Sequence, residues 1–422
     1  MQLKPSFQIA ICLFGLLPFG PIIAQEALTV EQCRQMALAN SPLNVQKANA
    51  ATIAVLQTEG LRASGLPKIG VGGQVSYQSD VFGLPIESPF FKVPAVPKDQ
   101  YKLNVDVSQR IWDGNSDKVR KQQYALDSEL ASAQTGVDIF SLRELVTDLF
   151  FRALLLQESE IILNTSKTDL TTRLKQVEGA IAEGVMLRTN ADQIKIQILK
   201  IEQQITATQS DRQALLEILG LWIGHEKVDF TLTLPRESAS LSLLLRPEIQ
   251  LFELRERQLD VAMQMIGLRK QPKVEAFAQG GIGSPNPLNF FEEGLYGLVG
   301  IRAMWTPFDW GLSNKDKQVL EVQKKNIAAQ RSAFGLRMAA SARKEERAET
   351  KNRAMLAQDD TIIAIQESIV ARADAQVKNG LMTMTDYLAQ VNLLTQAQLT
   401  QKTHELQAIQ ARENLIAMSC KL

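Results

Sequence analysis

Glu183-Gly184-Val185-Met186 and Asn379-Gly380-Leu381-Met382 decide the fold. Each interrupts a long polar helical pattern, and their glycines lie 196 residues apart. Upstream of the first come Pro67, a glycine-rich alternating stretch and Trp112-Asp113-Gly114; upstream of the second come Pro272, another such stretch and Phe308-Asp309-Trp310-Gly311. Gly114 and Gly311 are 197 residues apart. A period this long is no solenoid repeat. It reads as a duplicated half-molecule, each half a strand pair followed by a very long helix.

No proline interrupts 113–178 or 312–378. Each stretch of about 65 residues would run roughly 100 Å as one helix at 1.5 Å per residue. Gly184 and Gly380 suit the left-handed position that ends a helix. Returning helices are expected over 190–219 and 386–418; in the first, Ile194, Ile198, Ile201, Ile205, Leu215 and Leu219 form a coiled-coil seam. A further helix is expected from Thr29 to about Leu61, with Thr29 and Gln32 spaced as a capping box. Pro247 opens another, to about Arg269. Between the halves, Val228 to Leu234 reads as a short strand ending at Pro235, within a linker over 221–246.

Four segments alternate with a period of two. Tyr101, Leu103, Val105 and Val107 alternate with Lys102, Asn104, Asp106 and Ser108. Ile69, Val71, Val75 and Tyr77 share one face just upstream. Val274, Ala276, Ala278 and Ile282 do so in the second half, followed by Leu295, Val299, Ile301, Ala303 and Trp305. They form hairpins over 68–110 and 273–307; the first loop holds Pro85, Pro89, Pro94 and Pro97 with Phe82, Phe90 and Phe91, the second Pro285, Pro287, Phe290 and Phe291. Each segment has about the length of a tilted strand crossing a bilayer, and the pattern equally suits hairpins on a soluble domain. Four strands cannot close a barrel in lipid, so a membrane role demands several copies of the chain.

Of the 422 residues 6% are aromatic, and 46 Lys and Arg balance 46 Asp and Glu. That composition suits extended helices burying one stripe better than a thick core. At the N-terminus, Lys4 and an apolar run from Phe7 to Ile23, broken by Gly15, Pro18, Gly20 and Pro21, read as a cleaved signal peptide over 1–24. Cys12 would leave with it; Cys33 and Cys420 make no disulfide framework. Beyond residue 24 no apolar run reaches the ~18 residues of a membrane helix.

Chemistry-bearing clusters are missing from the sequence. His225 and His404 stand far apart, and no phosphate loop, nucleophile elbow or basic aromatic patch for nucleic acid is present. Hence no catalytic, cofactor or metal residues are expected. Glu345-Glu346 and Asp359-Asp360 read as solvated helix faces.

Leu28-Thr29-Val30-Glu31-Gln32-Cys33 through Ala37-Leu38-Ala39-Asn40-Ser41-Pro42, then Leu66-Pro67, then Gly184 with Asn190 and Gly380 with Asp386 occur in an order that resembles the TolC-like outer-membrane efflux channels, the outer-membrane factor family. The resemblance covers essentially the whole mature chain. It implies a membrane α+β fold: a homotrimer with four strands per chain in a shared twelve-stranded barrel, and long antiparallel helices forming a periplasmic α-barrel. The repeats would be 25–220 and 247–422. It further implies the outer membrane of a Gram-negative bacterium, a passive exit duct of a tripartite efflux or type I secretion system, a periplasmic adaptor (membrane fusion) protein, and an inner-membrane pump of RND, ABC or MFS type. No enzyme activity, cofactor or nucleic acid is implied.

Carried onto this chain, the resemblance makes Asp386, with Asn190 as its first-half counterpart, the candidate pore gate; Ala389 stands where a second acidic ring can sit. A helix-start charge is an equal reading of Asp386. Gly184, Val185, Met186, Gly380, Leu381 and Met382 are candidate adaptor-docking tips, against a purely local turn role. Trp112, Trp305, Phe308 and Trp310 are candidates for the interface with outer-membrane lipid. A periplasmic adaptor or structural coiled-coil protein stays open as the alternative, though adaptors usually carry one long helical hairpin and this chain has two.

Overall fold

The computed structural model describes residues 26–82, 96–225, 230–234 and 246–418. The signal over 1–24, Cys12, Cys420, Pro85, Pro89, Pro94, Phe90 and Phe91 of the first loop, and Val228, Asp229 and Pro235 of the linker lie outside these residues.

Strand β1 (Glu26–Leu28) leads into helix α1 (Val30–Asn40). Thr29 Oγ1 accepts from the Gln32 amide while Gln32 Oε1 accepts from the Thr29 amide, which closes the capping box. The single helix expected from Thr29 to Leu61 is two. Pro42 pushes Ser41 out of the helical region, to ψ 122°, so α1 stops and α2 (Asn44–Ser64) starts afresh. Strands β2 (Lys68–Tyr77) and β3 (Asp99–Trp112) follow, then α3 (Ser116–Ala182) and α4 (Arg188–Ile223). After β4 (Phe230–Leu232) and α5 (Pro247–Gly267) the order recurs: β5 (Lys273–Ser284), β6 (Gly294–Met304), α6 (Leu312–Lys378) and α7 (Met384–Met418).

Helices α3 and α6 are each 67 residues long, about 100 Å. Both end the same way. Gly184 and Gly380 take φ of 75° and 71°. Val185 and Leu381 reach back with their amides to the carbonyls of Ala180 and Gln376, 2.8 Å each, in a Schellman closure.

The parallel pair β1–β4 packs on the middle of the helical body. Leu28, Val30 and Cys33 meet Val146, Phe150 and Leu154 of α3, Leu219 and Ile223 of α4, and Leu406 of α7 there. Helix α4 continues to Ile223, so the linker expected from 221 begins later. Arg34, almost fully buried, ties three helices in this layer: Nε donates to Thr147 Oγ1 at 2.9 Å, and Nη1 meets Glu413 at 2.9 Å. Burial pushes the neighbouring Cys33 thiol up to about 12.

Phe150 is fully buried between α1, α3 and the short sheet. Phe150→Ala should cost about 3–5 kcal/mol, whereas Lys200→Ala, at an exposed polar position of α4, should stay within about 0.5. Denaturant unfolding in detergent, followed by far-ultraviolet circular dichroism, checks both.

Candidate functional site

The two hairpins join into one antiparallel sheet in the order β2-β3-β5-β6. Register fixes the faces. Val71 stands opposite Val105, Val107 opposite Ala278, and Ala278 opposite Val299. All four apolar sets therefore fall on a single face. A bulge at Ile111 sets Trp112 across from Val274, which carries Trp112 onto that face as well. Lys102, Asn104, Asp106, Arg110, Gln279 and Arg302 occupy the other side.

Exposure runs opposite to that of a water-soluble sheet. Along β3 the apolar Tyr101, Leu103 and Val105 are exposed, while Lys102, Asn104 and Asp106 are half-buried. Val75 and Val299 are 85% and 79% exposed. Ten large apolar side chains on this face stand open: Ile69, Val71, Val75, Tyr77, Leu103, Val105, Leu295, Val299, Ile301 and Trp305. At roughly 1.5–3 kcal/mol each, leaving them in water forgoes about 15–30 kcal/mol, more than the whole stability of a typical domain, roughly 5–15. The polar face is internally bonded: Gln279 and Asn104 both donate to Asp106, and Lys102 reaches Gln279 at 3.3 Å. Among the described residues nothing pairs with the outer edges of β2 and β6.

At the sheet's helical end, one turn is built twice. Asp113 accepts from the amides of Asn115 and Asp117, and Asp309 from those of Gly311 and Ser313, at 3.2 and 2.9 Å. Two left-handed residues follow each aspartate: Gly114 and Asn115, then Trp310 and Gly311. The duplication is thus registered by Asp113 and Asp309, 196 apart, which corrects the pairing of Gly114 with Gly311. Trp310 holds φ 53°, a strained position for a bulky side chain. It is 90% exposed, edge-on to Phe308 with centroids 4.9 Å apart. Trp112, Trp305 and Phe308 are exposed too, and Trp305 Nε1 donates to the Lys270 carbonyl at 3.0 Å. Hydrogen bonds from Ser313, reinforced by Lys270 at 3.0 Å, hold the Asp309 carboxyl well below the usual carboxylate range.

The far ends of the helices carry the two turns. Val185 and Leu381 stand exposed, while Met186 and Met382 fold back onto a core of Leu170, Val177, Ile194, Val377 and Tyr387. Asp386 is exposed in the first turn of α7, which starts at Met384. Thr383 Oγ1 accepts from the Asp386 amide at 3.1 Å and donates to Asp386 Oδ2 at 2.7 Å. Leu187, in the matching place of the first half, supplies no such cap, and Asn190 is half-buried.

Sequence reading missed what joins the two hairpins near the tip. Arg173 of α3, 6% exposed, meets Asp374 of α6 at 2.7 Å and lies over the Tyr387 ring of α7 at 5.4 Å. Burial pushes the Tyr387 hydroxyl up, as do the carboxylates of Asp374 and Asp169, against the pull of Arg173. Asp359 is likewise no solvated charge: it is buried between α6 and α7, 2.6 Å from His404 Nδ1. Thr383-x-x-Asp386 was readable as a capping box; the cross-helix pairs carry no local signal. No described helix is long and apolar enough to cross a membrane.

No protein-family model matches the chain, and no curated protein sequence does. Solved structures do. The outer membrane protein VceC of Vibrio cholerae superposes with a TM-score of 0.65 at 14% identity, over 92% of this chain and 95% of that one. The outer-membrane channel OprN gives 0.67 at 13%, over 93% and 89%. The CmeC outer membrane channel of Campylobacter jejuni gives 0.64 at 13%, over 99% and 94%. The fold is that of the TolC-like outer-membrane channels. At these identities the likeness establishes architecture.

Removing Arg173 should loosen the tip. Arg173→Met removes the buried cation that joins α3 to Asp374 and Tyr387 and leaves Asp374 with Lys378 of its own helix, 2.7 Å away, as its ion-pair partner, at about 1–3 kcal/mol once the partial exposure of Asp374 is allowed for; amide exchange over residues 370–392 should quicken. The Asp309 contribution has a defined pH dependence. Its folded pKa is lowered, so the stabilisation is complete above the ordinary value of 3.8 and disappears as pH falls through the folded value. Melting curves of the wild type and Asp309→Asn should therefore separate at neutral pH and converge in strong acid.

Proposed function

We propose that this chain is one protomer of a passive exit duct in the outer membrane of a Gram-negative bacterium. The inverted sheet carries the reading: an uncovered apolar face, a hydrogen-bonded polar face and two free edges. Edge strands β2 and β6 run in opposite directions, so copies joined edge to edge continue an antiparallel ladder. Three copies of a four-stranded sheet give twelve strands, enough to leave an open lumen where eight would be filled by side chains. The apolar faces would then meet lipid and the polar faces water. Trp112, Trp305, Phe308 and Trp310 suit the periplasmic membrane interface, and the helices project from there as a periplasmic tunnel.

The repeats, 25–220 and 247–422 about the 221–246 linker, place two helical turns per protomer at the tunnel's far end. Their exposed Val185 and Leu381, beside Gly184 and Gly380, offer small apolar knobs to a periplasmic adaptor, with Met186 and Met382 bracing them from within. An inner-membrane pump of RND, ABC or MFS type would supply the energy for efflux or type I secretion. Asp386 is assigned the gate: three copies of an exposed carboxylate would favour cations in a narrow pore. Its bond to Thr383 makes it a helix cap as well, and Asn190 of the first half adds no charge. The soluble adaptor or rod reading leaves the apolar sheet face without a partner.

Native mass measurement should find a detergent-dependent trimer in the membrane fraction; water-soluble monomer sinks the proposal. Val105→Arg, on the apolar face, should cost about 2–4 kcal/mol and deplete the membrane fraction, while Gln74→Arg on the polar face inserts normally. Asp386→Ala should lower cation preference in bilayer recordings, and an unchanged preference removes the gate assignment.

A further inference from the structure

The polar face of the sheet carries an uneven charge that the channel reading does not require. A cavity of about 270 Å³ opens at its helical end, where α2 runs into β2. Every strand sends one cation into its wall: Lys68 from β2, Arg110 from β3, Lys273 from β5 and Arg302 from β6. Two carboxylates face them directly, while Asp113 and Arg120, both beside Asp117, offset each other. Asp117, at the start of α3, pairs with Arg110 at 2.5 Å. Glu275 stands between Arg110 and Arg302 in the cross-strand register. Lys68, Lys273 and Arg302 have no ion-pair partner among the described residues. Arg302 is instead held over the Phe277 ring, 5.1 Å from its centroid.

With Asp113 and Arg120 included, five cations against three anions leave +2 for each protomer at this level, in a chain whose formal charge is zero. We infer that this layer is an anion-recruiting collar at the junction of barrel and helical tunnel, which draws carboxylate and phosphate groups of the cargo into the lumen. The inference rests on the channel reading, which closes three copies of the layer into a ring of +6. Low-dielectric walls focus such a ring's field on the aqueous path. Lysines and arginine supply complementary contacts, a mobile point charge beside a planar fork braced by an aromatic ring. The collar is opposite in sign to the acidic Asp386 proposed for the tip, so entrance and exit would select different groups of one cargo.

The test is single-channel recording from the full-length protein in planar bilayers under a KCl gradient. The ionic strength is kept near about 0.1 M, where the screening length is about 10 Å. The triple variant Lys68→Gln, Lys273→Gln, Arg302→Gln should raise the potassium-to-chloride permeability ratio about twofold or more, and Glu275→Gln should lower it; both changes should shrink as salt rises toward about 1 M. Tripolyphosphate added on the barrel side should block wild type, and block Glu275→Gln at lower concentration. The latter pair carries the test should the triple variant fail to assemble. A conducting wild type that tripolyphosphate does not block, or variants with unchanged permeability ratio, overturn the collar and leave the channel standing. A wild type that gives no conductance steps overturns both.

Discussion

A strand edge in hydrocarbon is untenable, because each unpaired N–H or C=O costs several kcal/mol where no water can reach it. This chain has two such edges, β2 and β6, separated by only two strands. In water the edges are satisfied and the apolar face is not; in lipid the face is satisfied and the edges are not. Both demands are met when copies join edge to edge into a closed ring. The requirement sets the rest of the proposed architecture: the number of strands fixes the bore, and the bore fixes how widely the helices are spread where they leave the sheet.

Duplication makes the two halves arrive level. Asp113 and Asp309 start α3 and α6 by the same double amide cap, both helices run 67 residues, and both end at a left-handed glycine. Two helical hairpins thus reach the same distance from the sheet without any contact having to measure it. The cap also explains an oddity of the second half. Gly114 serves the first left-handed position in one copy, while the other puts Trp310 there, which strains the backbone but aims a large aromatic outward. Neighbouring Phe308, Trp305 and Lys270 show the same concern with anchoring that end of the sheet.

What the sequence disclosed was whatever is periodic or local. The alternation from Tyr101 to Val107 was legible because one face alone is apolar, and the turns at Gly184 and Gly380 because a left-handed backbone selects glycine. The break at Ser41-Pro42 is a local signal of the same kind, a small-polar-Pro turn, set inside a stretch whose helical composition runs on to about Leu61. Pairing of β3 with β5 joins residues more than 160 apart in the chain, and no local pattern specifies it. Asp359 was misread for the same reason: its partner His404 lies on the returning helix, 45 residues on. Arg173 looked like any polar position of a long helix. Its burial follows from α6 and α7 arriving against α3.

The two long helices differ most in what they bury. Eighteen residues of α3 are buried within the protomer, among them Val146, Phe150 and Leu154; α6, equally long, buries five, of which Ser313, Asn352 and Asp359 are polar. Val319, Val322, Leu336, Ile362 and Ile365 of α6 remain exposed along its length. Helix propensity alone cannot hold a helix of this length in place, because most helical stability in proteins comes from packing an apolar face. The second half is therefore the less complete one as an isolated chain. Its missing cover and the free edge of β6 lie in the same repeat, so one neighbouring copy can supply both. In the proposed oligomer, closing the sheet and packing α6 would therefore be a single assembly step.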